Sequence, residues 1–396
     1  MKVVYLDHAA TTSIDKNIFQ AMKPYLLENY GNPSESHLMG MKAKKAIEDS
    51  RIVISKYLNC DPGEIIFTSC ATESINLSHK GLIAALSGNL KNKVHIITSS
   101  IEHKAVLETC RRLEQNNLAE ITYLPVDEYG MINIDDIEKS IKENTALVSI
   151  MYVNNEVGTI QPLAEIGKML KKNNKQRAAN SQRRIYFHTD ATQAMSCLNC
   201  DVNFLRVDLL SFSGHKINAP KGIGALYIKK GTPMFRQQDG GGQEFNFRSG
   251  TENVAFIAGL GEAIKNISKN KNEIKKIEIL SDQLISQVLK ISGTIMTGHP
   301  KIRAPHISSF VIKDIEGEAL VLRLSDKGIM SSSGSACTSH SLSPSHVLTA
   351  MGISPVLAHG SVRFSLGKEN TEEEIKYLAK ILPKEIEKIR KMAPKL

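Results

Sequence analysis

Seven apolar runs rich in β-branched residues alternate along the first two thirds of the chain with stretches of helical periodicity. The runs are "EIIFTS", "VHIITS", "ITYLP", "ALVSIMYV", "RIYFHTD", "DLLSFSG" and "GALYIK". Between them lie segments such as "TESINLSHKGLIAAL" and "HKAVLETCRRLEQ", whose apolar residues recur every three or four positions. Strands that alternate with helices are typical of a parallel sheet covered by helices. The pattern predicts a doubly wound α/β domain.

The pattern changes from about Glu252. Two long amphipathic helices follow, then the strand "HISSFVI", a helix, the segment "MSSSGSACTSHSLSP" with Cys337, the strand "SVRFSLG" and a closing helix from Thr371. This order predicts a smaller α+β domain. We expect a large domain over residues 15–261 and a small domain formed by residues 1–14 together with 262–396.

Length and composition indicate an ordinary globular protein. With 396 residues and 41% hydrophobic content, the chain can bury a large core, and a chain of this size favours two domains. The start "MKVVYLDHAATT" has no basic stretch followed by a long apolar one, and 18 apolar residues never occur together. Six cysteines in so long a chain do not form a disulfide scaffold. We therefore expect a cytoplasmic protein without a membrane span.

The net charge of +9 raises the question of a nucleic-acid partner. Most lysines and arginines are spread over predicted helices that also carry acidic residues, so none is expected. The exception is "KKNNKQRAANSQRR", from Lys171 to Arg184, which has six basic residues and no acidic one. Its low hydrophobicity predicts a mobile surface loop, with a docking patch for an acidic partner as the alternative.

Polar residues that follow the predicted strands are candidate ligand contacts, because ligands bind at the carboxyl ends of such strands. Thr72 opens a helix after "EIIFTS", where it could bind a phosphate or act as an N-cap in a capping box with Glu73. His103 follows "VHIITSS", and alone it is more often a hydrogen-bonded polar residue than a catalyst. Asp190 follows "RIYFHT" and could cap the next element or pair with a buried cation such as a protonated pyridine nitrogen.

A lysine in "LLSFSGHKINAPKGIGALY" indicates which ligand these candidate residues would bind. Lys216 follows a strand at a turn, whereas lysines usually remain on solvated faces. A partly desolvated amine loses its proton more easily and can attack an aldehyde to form a Schiff base. Thr72, Asp190 and Lys216 at strand ends together predict a pyridoxal phosphate (PLP) site.

The sequence resembles the NifS/IscS-type cysteine desulfurases, which are PLP enzymes of the aspartate-aminotransferase fold, known as fold type I. The resemblance covers nearly the whole chain, and its motifs occur in the same order. They are "YLDHAATT", "GNPSESH", "FTSCATESIN", "EHKAVL", "VNNEVGTIQP", "HTDATQ", "SFSGHKINAPKGIGALY", "GGGQEFNFRSGTEN", "SSGSACTS" and "VRFSLG". The implied fold has a large domain with a mainly parallel seven-stranded sheet and a smaller α+β domain.

The resemblance implies a role for each matching residue. Lys216 would hold PLP as a Schiff base, Asp190 would bind its pyridinium nitrogen, Gln193 would meet its phenolic oxygen, and His103 would stack on its ring and move protons. The implied phosphate and other cofactor contacts are Ala71, Thr72, Asn155, Ser213, His215 and, from a partner subunit, Thr251. The implied contacts of the substrate carboxylate are Arg363, Asn32 and Asn155.

By the same resemblance, Cys337 would be the nucleophile that accepts sulfur from L-cysteine, leaving alanine and a persulfide. The alternative is an inert loop cysteine. The family acts as a homodimer and delivers sulfur to iron–sulfur scaffold proteins or to tRNA-thiolation enzymes. No resident metal is expected, although Cys337 could transiently share an iron–sulfur cluster with a scaffold. The pair Cys197 and Cys200 in "CLNC" lacks the second pair that a zinc site requires.

Other functions remain open on the sequence alone. A selenocysteine lyase or another aminotransferase-like PLP enzyme would share most of the motifs, although an aminotransferase has no need of Cys337. A non-catalytic assembly component that keeps PLP only for folding is a third possibility. The chain also departs from the family pattern at Cys70, where a glycine is usual, and at Phe245 and Phe247, where smaller or more polar residues are usual.

Overall fold

The computed structural model describes residues 3–87, 93–269, 271–334 and 344–392. The strands are β1 (Val4–Tyr5), β2 (Ile65–Thr68), β3 (Val94–Ser99), β4 (Ala119–Leu124), β5 (Thr145–Ser149), β6 (Tyr186–Asp190), β7 (Leu209–Ser213), β8 (Gly224–Ile228), β9 (Thr294–Thr297), β10 (Ile307–Ile312), β11 (Ile329–Met330) and β12 (Ser361–Ser365).

The helices lie between these strands. They are α1 (Lys16–Leu27), α2 (Leu38–Leu58), α3 (Ala71–Asn76), α4 (Leu82–Ser87), α5 (Lys104–Gln115), α6 (Ile134–Ser140), α7 (Leu163–Ala179), α8 (Val202–Leu205), α9 (Val254–Lys269), α10 (Lys271–Val288), α11 (Gly317–Ser325), α12 (His346–Ala350), α13 (Pro355–Ala358) and α14 (Glu372–Met392). A π-helical turn at Leu77–Gly81 joins α3 to α4. Among the helices described, none combines the length and apolar content needed to span a bilayer.

The largest sheet has seven strands in the order β2-β8-β7-β6-β5-β3-β4. β8 runs antiparallel to both of its neighbours, and the other pairs are parallel. The predicted mainly parallel seven-stranded sheet is therefore confirmed. Most of its strands are buried along their whole length, as expected when helices cover both faces.

Alternate residues of the sheet belong to two different cores. Leu210 and Phe212 of β7 pack in one core with residues of α2 and α9, whereas Leu209 packs in the other with residues of α3, α4 and α5. This alternation follows from the two-residue period of a strand. The carboxyl ends of the parallel strands, and the residues after them, lie at the same edge of the sheet.

A second unit contains a three-stranded antiparallel sheet in the order β12-β10-β9. Its core includes side chains of α10, α11 and α14, and β1 and β11 form a parallel pair beside it. The predicted boundary at residue 261 lies within α9, whose Ile257 and Ile264 pack in the core of the large sheet. The exact limits of the two domains stay a prediction.

The basic segment predicted as a loop is helical over most of its length, so that prediction was wrong. Helix α7 continues to Ala179, because lysine, glutamine, arginine and alanine are all good helix formers even without an apolar stripe. Arg177 turns inward and is 5% exposed. Its guanidinium donates to the backbone oxygens of Lys142, Glu143 and Arg183 at 3.1, 2.7 and 2.6 Å. The residue therefore joins the end of α7 to the loop before β5.

A buried ion pair holds the Gly-rich segment "GGGQEFNFRSG" against the large sheet. Arg51 donates two hydrogen bonds of 2.9 Å to the carboxylate of Glu244, and Phe67 N donates to the same carboxylate at 2.8 Å. Glu244, Phe245 and Asn246 all have positive φ angles, 47°, 56° and 68°, which side chains other than glycine rarely adopt. The ion pair keeps this strained turn in place.

Replacing Arg51 should destabilise the fold strongly. Arg51→Met would leave the Glu244 carboxylate buried without its cation, which typically costs about 3–5 kcal/mol. We expect urea denaturation to show this loss in the free energy of unfolding. The matched control is Lys45→Met, because Lys45 pairs with Asp49 on an exposed face where an ion pair contributes about 0–1 kcal/mol. Equal stabilities of the two variants would contradict the structural role of the pair.

Candidate active site

A cavity of about 330 Å³ opens at the edge of the large sheet where the parallel strands end. Most of the predicted site residues line it. They are Ala71, Thr72, His103, Asn155, Asp190, Gln193, Ser213, His215, Lys216 and Arg363. The fold therefore brings together residues that are almost 300 positions apart in the sequence.

Three predicted site residues are not placed in this cavity. Asn32 and Thr251 are exposed and do not line it in the single chain. Thr251 is predicted to act from a partner subunit, so an external position agrees with that expectation without testing it. Cys337 lies outside the described residues. The roles of all three stay predictions.

Lys216 enters the cavity from a short 3₁₀ turn, Gly214–Lys216, directly after β7. Its Nζ donates to the backbone oxygens of Ala9 and Ala10, each at 2.6 Å. The N-terminal segment thus forms part of the cavity wall. Sequence reasoning did not assign a role to this segment, although "YLDHAATT" was among the family motifs.

His103 lies before the first turn of α5, where its Nδ1 accepts a hydrogen bond from Ala105 N at 3.1 Å. A neutral ring therefore carries its proton on Nε2. The pKa of His103 is lowered, mainly by burial, with the nearby Asp190 carboxylate opposing and the Lys216 charge adding to the shift. The lowered pKa favours the neutral ring, so Nε2 presents an N–H group that can donate a hydrogen bond or a proton.

Asp190 ends β6 and is 7% exposed. One carboxylate oxygen accepts from Thr192 N at 2.9 Å, which fixes the side chain at the start of the following turn. The hydroxyl of Thr192 is buried and has no hydrogen-bond partner within the described residues, and Thr192 lines the cavity. Asp190 thus offers a buried carboxylate to a cation in the cavity.

The start of α3 rules out one of the two interpretations of Thr72. The residue before the helix is Cys70, in an extended conformation and without a side-chain cap, so Thr72 is not the N-cap. Glu73 instead accepts from Ser69 N at 2.6 Å and from Arg248 at 2.9 Å. The alternative interpretation of Thr72 as an N-cap with a capping box is therefore wrong. The first turn of α3 faces the cavity through Ala71 and Thr72.

His215 completes the cavity wall next to Lys216. Its Nδ1 forms a hydrogen bond of 3.2 Å with the hydroxyl of Thr11. Burial and the charge of Lys216 lower the pKa of His215 to about 4, so the ring is neutral at physiological pH. A neutral ring can still donate one hydrogen bond to an anion such as a phosphate.

Arg363 lies at the centre of β12 and reaches the cavity from the second unit. Its guanidinium forms an ion pair with Asp7 at 2.9 Å and donates to the backbone oxygen of Asn155 at 2.6 Å. Its buried Nε has no partner in the part of the chain that the structure describes. Sequence analysis missed Asp7, whose carboxylate orients this arginine.

The residues before and after the segment that contains Cys337 form hydrogen bonds with residues at or next to the cavity. Ser332 lines the cavity and exchanges backbone hydrogen bonds with Arg363 at 3.2 and 2.7 Å. Ser345 Oγ donates to the carboxylate of Glu156, and His346 Nε2 donates to the backbone oxygen of Glu102 at 3.0 Å. These contacts attach the described ends of the segment to the neighbours of Asn155 and His103.

Glu102 is a buried acid that the sequence did not single out. Its Oε1 accepts from Ser99 Oγ at 2.7 Å and from Met151 N at 2.9 Å. Burial raises its pKa to about 8, so the carboxyl is mostly protonated at neutral pH. Glu102 therefore braces the turn that carries His103 without adding a full negative charge to the site.

The residues of the cavity fit PLP. An amine, a buried carboxylate, an imidazole and a guanidinium all reach it. The amine would bind the aldehyde and the carboxylate would bind the ring nitrogen. The imidazole would contact the ring face, and the guanidinium would bind a carboxylate. Two buried polar atoms, the hydroxyl of Thr192 and Nε of Arg363, have no hydrogen-bond partner among the described residues. Both are available to a polar ligand in the cavity. Cys70, noted in the sequence only as a departure from the family pattern, also lines the cavity.

The remaining cysteine motif has a structural environment. Cys200 is 2% exposed and Cys197 packs against the core of the large sheet. Burial raises the pKa of both thiols, that of Cys197 to about 12. Neither thiol is therefore ionised at neutral pH, as a nucleophile would need to be.

Comparison with known proteins shows that the chain is similar to class-V aminotransferases and, among them, to cysteine desulfurases. The sequence profile described as aminotransferase class-V matches residues 4–378. A relative from Methanosarcina thermophila named cysteine desulfurase IscS is 46% identical over 99% of this chain and 94% of its own. A solved NifS-like protein superposes with a TM-score of 0.89 at 38% identity, covering 98% of this chain and 100% of the other. A structure described as SspA in complex with cysteine gives a TM-score of 0.80 at 35% identity, covering 93% and 100%.

Proposed function

We propose that this chain, a member of the class-V aminotransferase family, removes sulfur from L-cysteine. Its relatives are named cysteine desulfurases, and enzymes of this family use PLP as their cofactor. The observation that carries the proposal is the convergence of Lys216, Asp190, His103 and Arg363 on one cavity. A related structure described as a complex with cysteine supports the choice of substrate.

PLP, when bound, supplies an electron sink that lets bonds at the carbon atom bearing the substrate amine break heterolytically. The residues around it bind and orient the reactants. Asp190 offers a carboxylate to the ring nitrogen, and the wall formed by Thr72, Ser213 and His215 suits the phosphate. Ala71, Asn155 and Gln193 are further cofactor contacts in this proposal.

Arg363 would bind the substrate carboxylate. Asp7 and the backbone oxygen of Asn155 hold the guanidinium in one orientation, and a planar guanidinium matches a carboxylate better than a lysine ammonium does. His103 would give up and take back a proton at Nε2, the nitrogen that carries the hydrogen of the neutral ring while Nδ1 caps α5. Lys216 would bind the cofactor and, once released from it, move protons beside His103.

Cys337 would accept the sulfur. Its thiolate attacks the sulfur of the substrate, an S–S bond forms as the C–S bond breaks, and the carbon fragment leaves as alanine after protonation. The persulfide would then pass to an iron–sulfur scaffold protein or a tRNA-thiolation enzyme. Asn32 completes the proposed contacts of the substrate carboxylate.

A direct assay tests this function. The purified protein, loaded with PLP, should release alanine from L-cysteine in the presence of a reductant, with sulfide formed in equal amount. L-selenocysteine is the comparison substrate, because a selenocysteine lyase would strongly prefer it. Alanine release from neither amino acid by a PLP-loaded protein would contradict the proposal, and release from selenocysteine alone would replace it with the lyase.

We also propose a cytoplasmic homodimer. Thr251 follows the strained turn at residues 244–246 and lies outside the cavity, which suits a contact to the phosphate of a second subunit. Large apolar side chains are exposed on α1, after it and at the start of α2, among them Leu27, Tyr30 and Leu38 at 64%, 72% and 68%. A surface of this kind favours association.

Sedimentation should therefore show a dimer at assay concentrations. Leu27→Glu combined with Leu38→Glu would add charge to this surface and should shift the equilibrium to monomer, with a fall in activity if Thr251 acts across the interface. Lys45→Glu on the same helix as Leu38 is the control for charge alone. A fully active monomeric wild type would contradict the proposal.

A further inference from the structure

The side-chain amide of Gln193 is held from two sides. Its Nε2 donates to the backbone oxygen of Ala9 at 2.9 Å, and its Oε1 lies 3.2 Å from Nε2 of His306. Ala9 O is also one of the two acceptors of Lys216 Nζ. One backbone oxygen thus connects the lysine and the amide on the same wall of the active-site cavity.

His306 approaches this amide from behind. It immediately precedes β10 in the second unit and does not line the active-site cavity. It lines a separate cavity of about 100 Å³, and Gln193 and Lys216 form part of the wall of both cavities. His306 can therefore act on a ligand in the active-site cavity only through another residue.

The hydrogen bonds determine which hydrogen each group carries. A carbonyl oxygen only accepts, so Ala9 O requires the amide nitrogen of Gln193 on its side, and the amide oxygen then faces His306. That oxygen also only accepts, so His306 must carry a proton on Nε2 and donate it. Nδ1 of His306 is buried and has no partner among the residues described, as expected for the unprotonated nitrogen.

The surroundings keep this arrangement unchanged near neutral pH. Burial lowers the pKa of His306 to about 3, with further lowering from the charges of His8, Arg363 and Lys216. The ring therefore holds a single proton. The amide of Gln193 has two N–H groups, and Ala9 O uses one of them.

We propose that His306 is a positioning residue that keeps the amide nitrogen of Gln193, rather than its oxygen, available to the cofactor's phenolic oxygen. The inference rests on the proposed PLP site. Without the His306 donor, the amide oxygen of Gln193 loses its partner, and only the bond from the amide nitrogen to Ala9 O still holds the amide in this orientation. An amide oxygen next to a phenolate repels it, whereas an N–H group stabilises the ionised form.

The readout is the absorption spectrum of the bound cofactor at one fixed pH, together with its dissociation constant. His306→Leu removes the donor at similar volume and should shift the spectrum toward the protonated cofactor and weaken PLP binding about tenfold. His306→Gln restores an N–H group of similar reach and should remain close to wild type. A purely structural role would not be rescued in this way.

A double-mutant cycle distinguishes action through Gln193 from general disturbance. In a Gln193→Ala background, His306→Leu should cause no further spectral shift. If His306→Leu does not fold, His306→Asn, whose amide is too short to reach Gln193, must give the same shift.

Two results would overturn the inference: a wild-type spectrum for the folded His306 variants, or a shift that persists without Gln193. These two results can be distinguished from a failure of the proposed function. In that case, the wild-type protein itself would not bind PLP or would not release alanine.

Discussion

Cys337→Ala protein should bind PLP and L-cysteine but release alanine and sulfide about a thousandfold more slowly than wild type. The cofactor and substrate contacts that we propose lie on Lys216, Asp190 and Arg363, which the substitution leaves intact. L-Cysteine should therefore still change the absorption spectrum of the bound cofactor. Turnover should fall because loss of a covalent nucleophile removes the acceptor on which the bond-breaking step depends.

The matched control for this experiment is Cys60→Ala. Burial raises the pKa of Cys60 to about 12, so its thiol is not ionised at neutral pH and its removal should leave turnover near wild type. Mass spectrometry after exposure to L-cysteine should find one added sulfur on the Cys337 peptide, removable by reductant. Sulfur on Cys70, Cys197 or Cys200 instead, or undiminished turnover by Cys337→Ala, would show that another thiol is the carrier.

Lys216→Ala should abolish covalent attachment of PLP and reduce turnover by about three orders of magnitude or more. Wild-type protein treated with borohydride should carry the cofactor permanently on the peptide containing Lys216. In the variant, the same treatment should leave the peptide unmodified, and dialysis should remove the cofactor. The amine is predicted to serve both as the attachment point and as a proton carrier, so its removal affects two functions together.

Lys221→Ala provides the comparison for charge and position, since Lys221 is exposed only five residues further along the chain. It should retain the cofactor and full activity. Borohydride-stable PLP on a different lysine of the wild-type protein would refute the assignment. An active Lys216→Ala protein would show that the amine contributes little to proton transfer.

Part of the candidate active site could be predicted because several of its side chains end or follow apolar strands. Asp190 and Lys216 end or follow β6 and β7, and parallel strands bring such positions to one edge of a sheet. Arg363 of the second unit is of another kind, because it lies inside β12 and could be assigned only through the family motif "VRFSLG".

Local sequence predicted the conformation less well where low hydrophobicity suggested a loop although the residues favour a helix. Residues 171–179 have little hydrophobicity, which suggested a loop, yet α7 extends through them and Arg177 turns inward to bind backbone oxygens. Thr72 was compatible with an N-cap by its residue type, but the helix begins one residue earlier and Glu73 binds Arg248 from a distant segment. Helix propensity extends α7, and contacts distant in sequence fix the side chains of Arg177 and Glu73.

The sequence by itself determined the fold class and the cofactor and predicted the principal side chains of the site, because strand periodicity, residue chemistry and family motifs can all be read along the chain. Only the tertiary structure decided that Ala9 O binds both Lys216 and Gln193, that Asp7 orients Arg363, and that His306 contacts Gln193 from behind. A backbone oxygen has the same chemistry in every residue and leaves no pattern in the sequence. Its hydrogen-bond partner depends on where folding brings a segment more than 180 residues away.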